Sequence, residues 1–222
     1  MRAGETLVAS DGYEVALFPL EALYIYQDEN IGSHIGTYNL DLHGYRYNGS
    51  SWVRTYDCPI YAPFTCRLVY QDNSYGAGNM RIFQSTNMVH TPGGLRYICV
   101  LFAHAYNPPV SGVGTVCSQG QHIYNTGDYG VSTGDHSHTT AGQGQWVNWS
   151  TSMTDRPPDN HQDFTNRVHY WDAFYVNDTE ILKGNGHPWL TWTGPTPPTP
   201  SGEILKKFPW VLYARKLRNE RG

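Results

Sequence analysis

Two histidines stand one residue apart in Ser132-Thr133-Gly134-Asp135-His136-Ser137-His138. On a strand, side chains two apart project to the same side. A glycine-containing turn leading into such a strand would deliver both imidazoles to one site. A lone pair of this kind is equally at home on an ordinary surface strand, so other donors must be sought. His34 lies in the turn Gly32-Ser33-His34-Ile35-Gly36, just before Tyr38-Asn39-Leu40-Asp41-Leu42-His43. That second segment alternates: Tyr38, Leu40 and Leu42 share one face, and Asn39, Asp41 and His43 share the other. The turn can fold back to bring His34 near Asp41, with His43 as a rival donor. Two histidines and one carboxylate are a common catalytic zinc set, with a fourth position for water. His104 ends the apolar run Tyr97–Ala103. An imidazole there must be hydrogen-bonded or functional, because an unpaired polar group in a core is costly. His90, His122, His161, His169 and His187 lack ligand spacing and read as surface or hydrogen-bonded side chains.

The elements that must hold these residues are strands. The chain has 222 residues with 23 Gly, 14 Pro, 17 Tyr and 7 Trp, and only 15% are charged. That composition favours a turn-rich β fold over a helical bundle, which needs more Ala, Glu, Lys and Leu. Short strands are expected at Cys66–Gln71, Met80–Gln84, Arg96–His104, His136–Thr140 and Gln145–Trp149, between Gly, Asn and Pro turns. The Arg96–His104 run is apolar on both faces and reads as a central strand. Asp163–Val176 reads equally as helix or strand. The expected class is therefore all-β, mainly antiparallel, with long loops and few short helices. The four cysteines, Cys58, Cys66, Cys99 and Cys117, form no C-x-x-C pair and read as buried thiols, with a Cys58–Cys66 disulfide as the alternative.

Residues 1–194 read as one domain, 195–202 as a Pro-rich linker and 203–222 as a basic, aromatic tail. The last 22 residues hold six Lys or Arg against two Glu, although the whole chain carries −4. The mild acidity argues against a nucleic-acid partner. No apolar run of about 18 residues is present, so no membrane-spanning helix is expected. No basic stretch leads into a short apolar core near Met1, so no signal peptide is expected.

Four segments together resemble the lysostaphin-like, LytM-type zinc endopeptidases of bacterial cell walls, especially the versions carried by bacteriophages. They are Ser33–Leu42; Cys58-Pro59-Ile60-Tyr61-Ala62-Pro63 with Cys66–Val69; Val100–His104; and the stretch from Val116 through Gly120-Gln121 and Gly127 to His138. The resemblance covers about residues 20–150. It implies one zinc ion held by His34, Asp41 and His138, with His104 and His136 assisting the chemistry. It also implies peptidoglycan as the substrate, and a phage lysin or a virion- or tail-associated enzyme acting at the bacterial wall. Tyr106, Tyr124 and Tyr129, with Tyr45, Tyr47 and Trp52, are the candidate walls of a peptide groove. The tail would then dock to the wall or to virion proteins. One departure stands out: six residues separate His34 from Asp41 where the family has three, and Thr37 occupies the close-spaced position. A second reading is a non-catalytic structural or wall-binding protein that keeps the fold without the metal.

Overall fold

The computed structural model describes residues 1–156 and 161–196. All but the first two residues of the expected linker, and the whole tail, lie outside them. Nine strands make the main sheet. In chain order they are β1 (Ala22–Gln27), β2 (Leu40–Leu42), β3 (Cys66–Asp72), β4 (Met80–Ser85), β5 (Ile98–Ala103), β6 (Val116–Cys117), β7 (Ser137–Gln143), β8 (Arg167–Val168) and β9 (Glu180–Lys183). Their spatial order is β6-β3-β4-β5-β7-β2-β1-β9, with β8 also paired to β7. Only the edge pair β1–β9 is parallel; the other pairs in this sheet are antiparallel. The described helices are single turns at Trp149–Ser152 and Tyr170–Ala173, with a 3-10 turn at Gly32–His34. The expected all-β, mainly antiparallel class with few short helices is what the chain adopts.

The central strand explains its own composition. Ile98, Val100 and Phe102 of β5 point into the main core with Leu40, Leu42, Phe64 and Phe83. Cys99, Leu101 and Ala103 point into a second cluster with Met80, Ile82, Met153 and Phe164. A strand buried on both faces without polar partners for its side chains favours apolar residues throughout. Each such Leu, Phe or Ile contributes roughly 1.5–3 kcal/mol of burial. The second face is divided. At one end the hairpin of Met153–Arg156 and His161–Phe164 covers it, and Phe164 sits so close to Gly142 that an added Cβ would lie 2.4 Å from its Cγ. At the other end the same face carries Asp41 and His138.

Two expectations, one of a strand and one left open between helix and strand, are settled differently. Gln145–Trp149 is not a strand: Asn148 caps the short helix instead, its Oδ1 accepting from the Thr151 amide at 3.0 Å. A side chain that satisfies a helical amide favours the turn over the ladder. Asp163–Val176 is neither a single helix nor a single strand, but a strand end, the two-residue β8 and one helical turn. The four cysteines are buried and unbonded. Burial pushes the Cys58 and Cys99 thiols up to about 12, so neither is a thiolate near neutral pH.

Candidate metal centre

The ladder sets the centre. His138 of β7 lies directly opposite Asp41 of β2 and, on its other side, opposite Ala103 of β5. Residues opposed in an antiparallel pair point to the same face with Cβ atoms about 5 Å apart. His104 follows Ala103, so three neighbouring strand ends present His104, His138 and Asp41 together. His136 is held just before β7 by paired backbone hydrogen bonds with Gly127, both 2.9 Å. His34 arrives separately, from the 3-10 turn of the loop between β1 and β2.

The donors converge on one carboxylate oxygen. Asp41 Oδ1 lies 3.4 Å from His34 Nε2, 3.3 Å from His136 Nε2 and 3.2 Å from His138 Nδ1. Nδ1 of His34 donates to the Asn39 carbonyl at 3.1 Å, which makes Nε2 the lone-pair nitrogen that faces Asp41. His136 donates from Nδ1 to the Gly134 carbonyl at 2.7 Å, so its Nε2 faces inward. His34, Asp41 and His138 are all buried, and their donor atoms lie within 4.8 Å of one another. Zinc bound at about 2.0–2.1 Å in a tetrahedron requires donor separations of about 3.3–3.4 Å. The His34–Asp41 and Asp41–His138 separations of 3.4 and 3.2 Å match that edge length. The residues therefore fit a zinc ion in donor type and in the spacing of each imidazole from Asp41. His34 also carries the kind of hydrogen bond on its other ring nitrogen that orients metal-bound imidazoles.

Electrostatics follow the same geometry. Burial disfavours the Asp41 carboxylate, but hydrogen bonds and charge interactions with His136 and His138 outweigh it and hold the carboxyl well below the usual range. Burial likewise disfavours protonated His136, yet Asp41 and the Gly134 carbonyl raise its pKa above the ordinary value. Asp41 thus favours the protonated form of His136.

His104 occupies a forced position. It has φ +87, its amide donates to the Gly78 carbonyl at 2.6 Å, and its carbonyl accepts from the Tyr129 amide at 2.9 Å. Its Nδ1 donates to the Tyr129 carbonyl at 2.9 Å, and its ring centroid lies 4.7 Å from that of His136. Gly127 passes so near that an added Cβ would stand 2.3 Å from the His104 carbonyl oxygen. Only glycine permits that approach.

The tyrosines divide. Tyr106 is 54% exposed, and its ring meets Tyr129 edge to face at 6.0 Å. The Tyr129 backbone is hydrogen-bonded to His104. Tyr124 does not wall a groove: it is 0% exposed, stacks on Phe102 and belongs to the main core. Its hydroxyl donates to the Asn79 carbonyl at 2.9 Å and accepts from the Ala105 amide at 3.2 Å. The rival ligand His43 lies outside the donor set and stacks on Tyr24 and Tyr26. Two features escaped the sequence reading. One is the pair of Tyr26 and Arg54 beside His136. The other is a second cluster of donors, Asp28, Glu29 and His187, at the base of the His34 loop. Neither has a local spacing signal.

No protein-family model matches the chain. Morphogenesis protein 1 of Bacillus phage B103 is 29% identical over 184 residues, 82% of this chain and 46% of that protein. The chain thus spans about half the length of this curated relative. A zinc-containing peptidase from Vibrio cholerae aligns at 15% identity and TM-score 0.39, over 61% of this chain and 42% of that one. The catalytic domain of a prophage-encoded M23 protein from Enterococcus faecalis aligns at 16% and 0.39, over 55% and 82%. The catalytic domain of lysostaphin from Staphylococcus simulans aligns at 21% and 0.37, over 56% and 80%. These are peptidases of the kind the sequence motifs resemble. The likeness is loose, and the reading of the centre rests on its own geometry.

Proposed function

We propose that the chain is a zinc-dependent endopeptidase that hydrolyses peptide bonds in the stem or cross-bridge of bacterial peptidoglycan. The observation that carries this reading is the convergence of His34 Nε2 and His138 Nδ1 on Asp41 Oδ1, at 3.4 and 3.2 Å, with His136 and His104 beside them but supplied from different backbone positions. Bound there, zinc would supply Lewis acidity toward a peptide carbonyl and lower the pKa of water. The chain's own groups do the rest. His34, Asp41 and His138 hold the ion. His136, fixed through Nδ1 to the Gly134 carbonyl, exchanges a proton through Nε2. His104, fixed through Nδ1 to the Tyr129 carbonyl, meets the developing oxyanion or the leaving amine as the second imidazole. Tyr106 and Tyr129 offer aromatic surface to the peptide.

The phage relative supports a phage setting, either as a lysin or as a virion- or tail-associated enzyme acting at the cell wall. Residues 203–222 serve docking to wall or virion, and residues 1–194 carry the chemistry. Mass spectrometry of fragments released from purified peptidoglycan tests the reading. New peptide termini that appear with zinc and vanish with chelator are expected. Intact walls in the presence of stoichiometric zinc would overturn it in favour of a wall-binding role.

A further inference from the structure

A pocket of about 130 Å³ adjoins the centre, lined by Tyr26, His43, Arg54, Thr133, Gly134 and His136. His136 is common to both, so the pocket begins one side chain from the candidate reaction centre. One wall is flat: the Tyr26 ring, 45% exposed, stacks on His43 at 4.5 Å and 18°. The facing turn is bare backbone at Gly134, where an added Cβ would meet nothing within 4 Å.

Arg54 supplies the charge. One of its N–H groups, at Nη2, donates to the Asp135 carbonyl at 3.0 Å, and its Cζ lies 5.3 Å from the centre of the Tyr56 ring. These contacts hold the guanidinium without neutralising it. The adjacent Asp135 carboxylate is occupied elsewhere, accepting from Thr126 Oγ1 at 2.7 Å and from the Asp57 amide at 3.0 Å. Among the described residues, Arg54 belongs to none of the ion pairs. A guanidinium offers five N–H donors in a planar fork that matches a carboxylate. A single guanidinium beside an aromatic wall suits a planar monoanion better than a phosphate dianion, which calls for more than one cation.

We propose that Arg54 and the Tyr26–His43 face form a subsite for a free carboxylate of an acidic peptide substrate, which makes Arg54 a specificity-determining residue. The placement of that peptide rests on the peptidase reading above. The test measures binding by calorimetry in the full chain carrying His104→Ala, so that cleavage does not consume the ligand. The probes are a wall-type stem peptide with free carboxylates and its fully amidated twin. The carboxylate form should bind about tenfold more tightly, the scale of a charge-assisted hydrogen-bonded pair. Adding Arg54→Gln should bring the two affinities within about twofold, and Arg54→Lys should restore only part of the gap, because an ammonium lacks the fork. Thermal melting checks that each variant is folded. Equal binding of the two peptides at the outset would overturn the proposal. So would a gap that survives Arg54→Gln, or displacement by inorganic phosphate at lower concentration than by acetate. Failure of the unmodified enzyme to cut either peptide would count against the peptidase reading alone, since binding is read separately.

Discussion

Asp41 and His138 stand opposite each other across β2 and β7, with Oδ1 of the first 3.2 Å from Nδ1 of the second. Their spacing is set by the strand ladder and not by a loop, so backbone hydrogen bonding alone brings two of the three proposed ligands together. His34 completes the set from the β1–β2 loop, and the three imidazoles around one oxygen make Asp41 the anion on which the cluster depends.

Asp41→Ala should therefore abolish metal binding and lower stability by about 1–3 kcal/mol, the cost of removing a charged hydrogen-bond partner from a buried site. Elemental analysis of the purified variant and a denaturant melt check both parts. Stoichiometric zinc in the variant would remove Asp41 from the ligand set.

His104→Ala and His136→Ala should behave differently from the ligand variants. Each is expected to retain zinc while peptide hydrolysis falls by about 10²–10⁴, the usual reach of general acid–base groups. Measuring zinc content and turnover on the same preparations separates the roles. Parallel loss of metal and turnover would make either residue a ligand.

Tyr124→Phe should act on stability and not on substrate. It leaves the Asn79 carbonyl and the Ala105 amide without the hydroxyl that joins them, at a cost of about 1–2 kcal/mol. KM for wall peptide should stay unchanged. A raised KM with an unchanged melting point would return Tyr124 to the groove.

Asp28 gives a pH signature away from the centre. It is 1% exposed and accepts from Asn185 at 2.8 Å and His187 at 3.0 Å. Burial opposes its ionisation, but the Asn185, Asn30 and His187 hydrogen bonds prevail and lower its pKa below 3.8. A depressed carboxylate stabilises the fold above the unfolded value and loses that contribution as pH falls through the folded one. Melting temperature should thus decline more steeply below pH 3.8 in the native chain than in Asp28→Asn. Identical acid limbs would show that Asp28 contributes nothing through its charge.

What was legible in the sequence follows the two-residue period of strands. That period placed His136 with His138, put Asp41 on the polar face and marked the doubly buried strand before His104. Where side-chain capture competed with the ladder, as at Asn148, the period misled. Tyr124 sits next to the motifs in sequence, but alternation alone does not say which face is core. Arg54 and Tyr26 reach the pocket from a hairpin and an edge-side strand, and Asp28 meets His187 across 159 residues. No local spacing encodes such meetings. The forced backbone of His104 is likewise invisible until Gly127 is seen to graze its carbonyl.

Because Asp41 and His138 are anchored in the sheet and His34 rides on a loop, the centre has one mechanically independent arm. That loop is pinned by its own turns, Gly36 to Glu29 at 3.1 Å and Thr37 to His34 at 2.9 Å, and at its base by Asp28 and His187. In the proposed zinc centre, His34 is therefore the ligand whose displacement would leave the β2–β7 ladder closed. Ion exchange there would then depend on the loop and its Asp28–His187 tether, which also contributes to domain stability, while the spacing of Asp41 and His138 stays set by the strands.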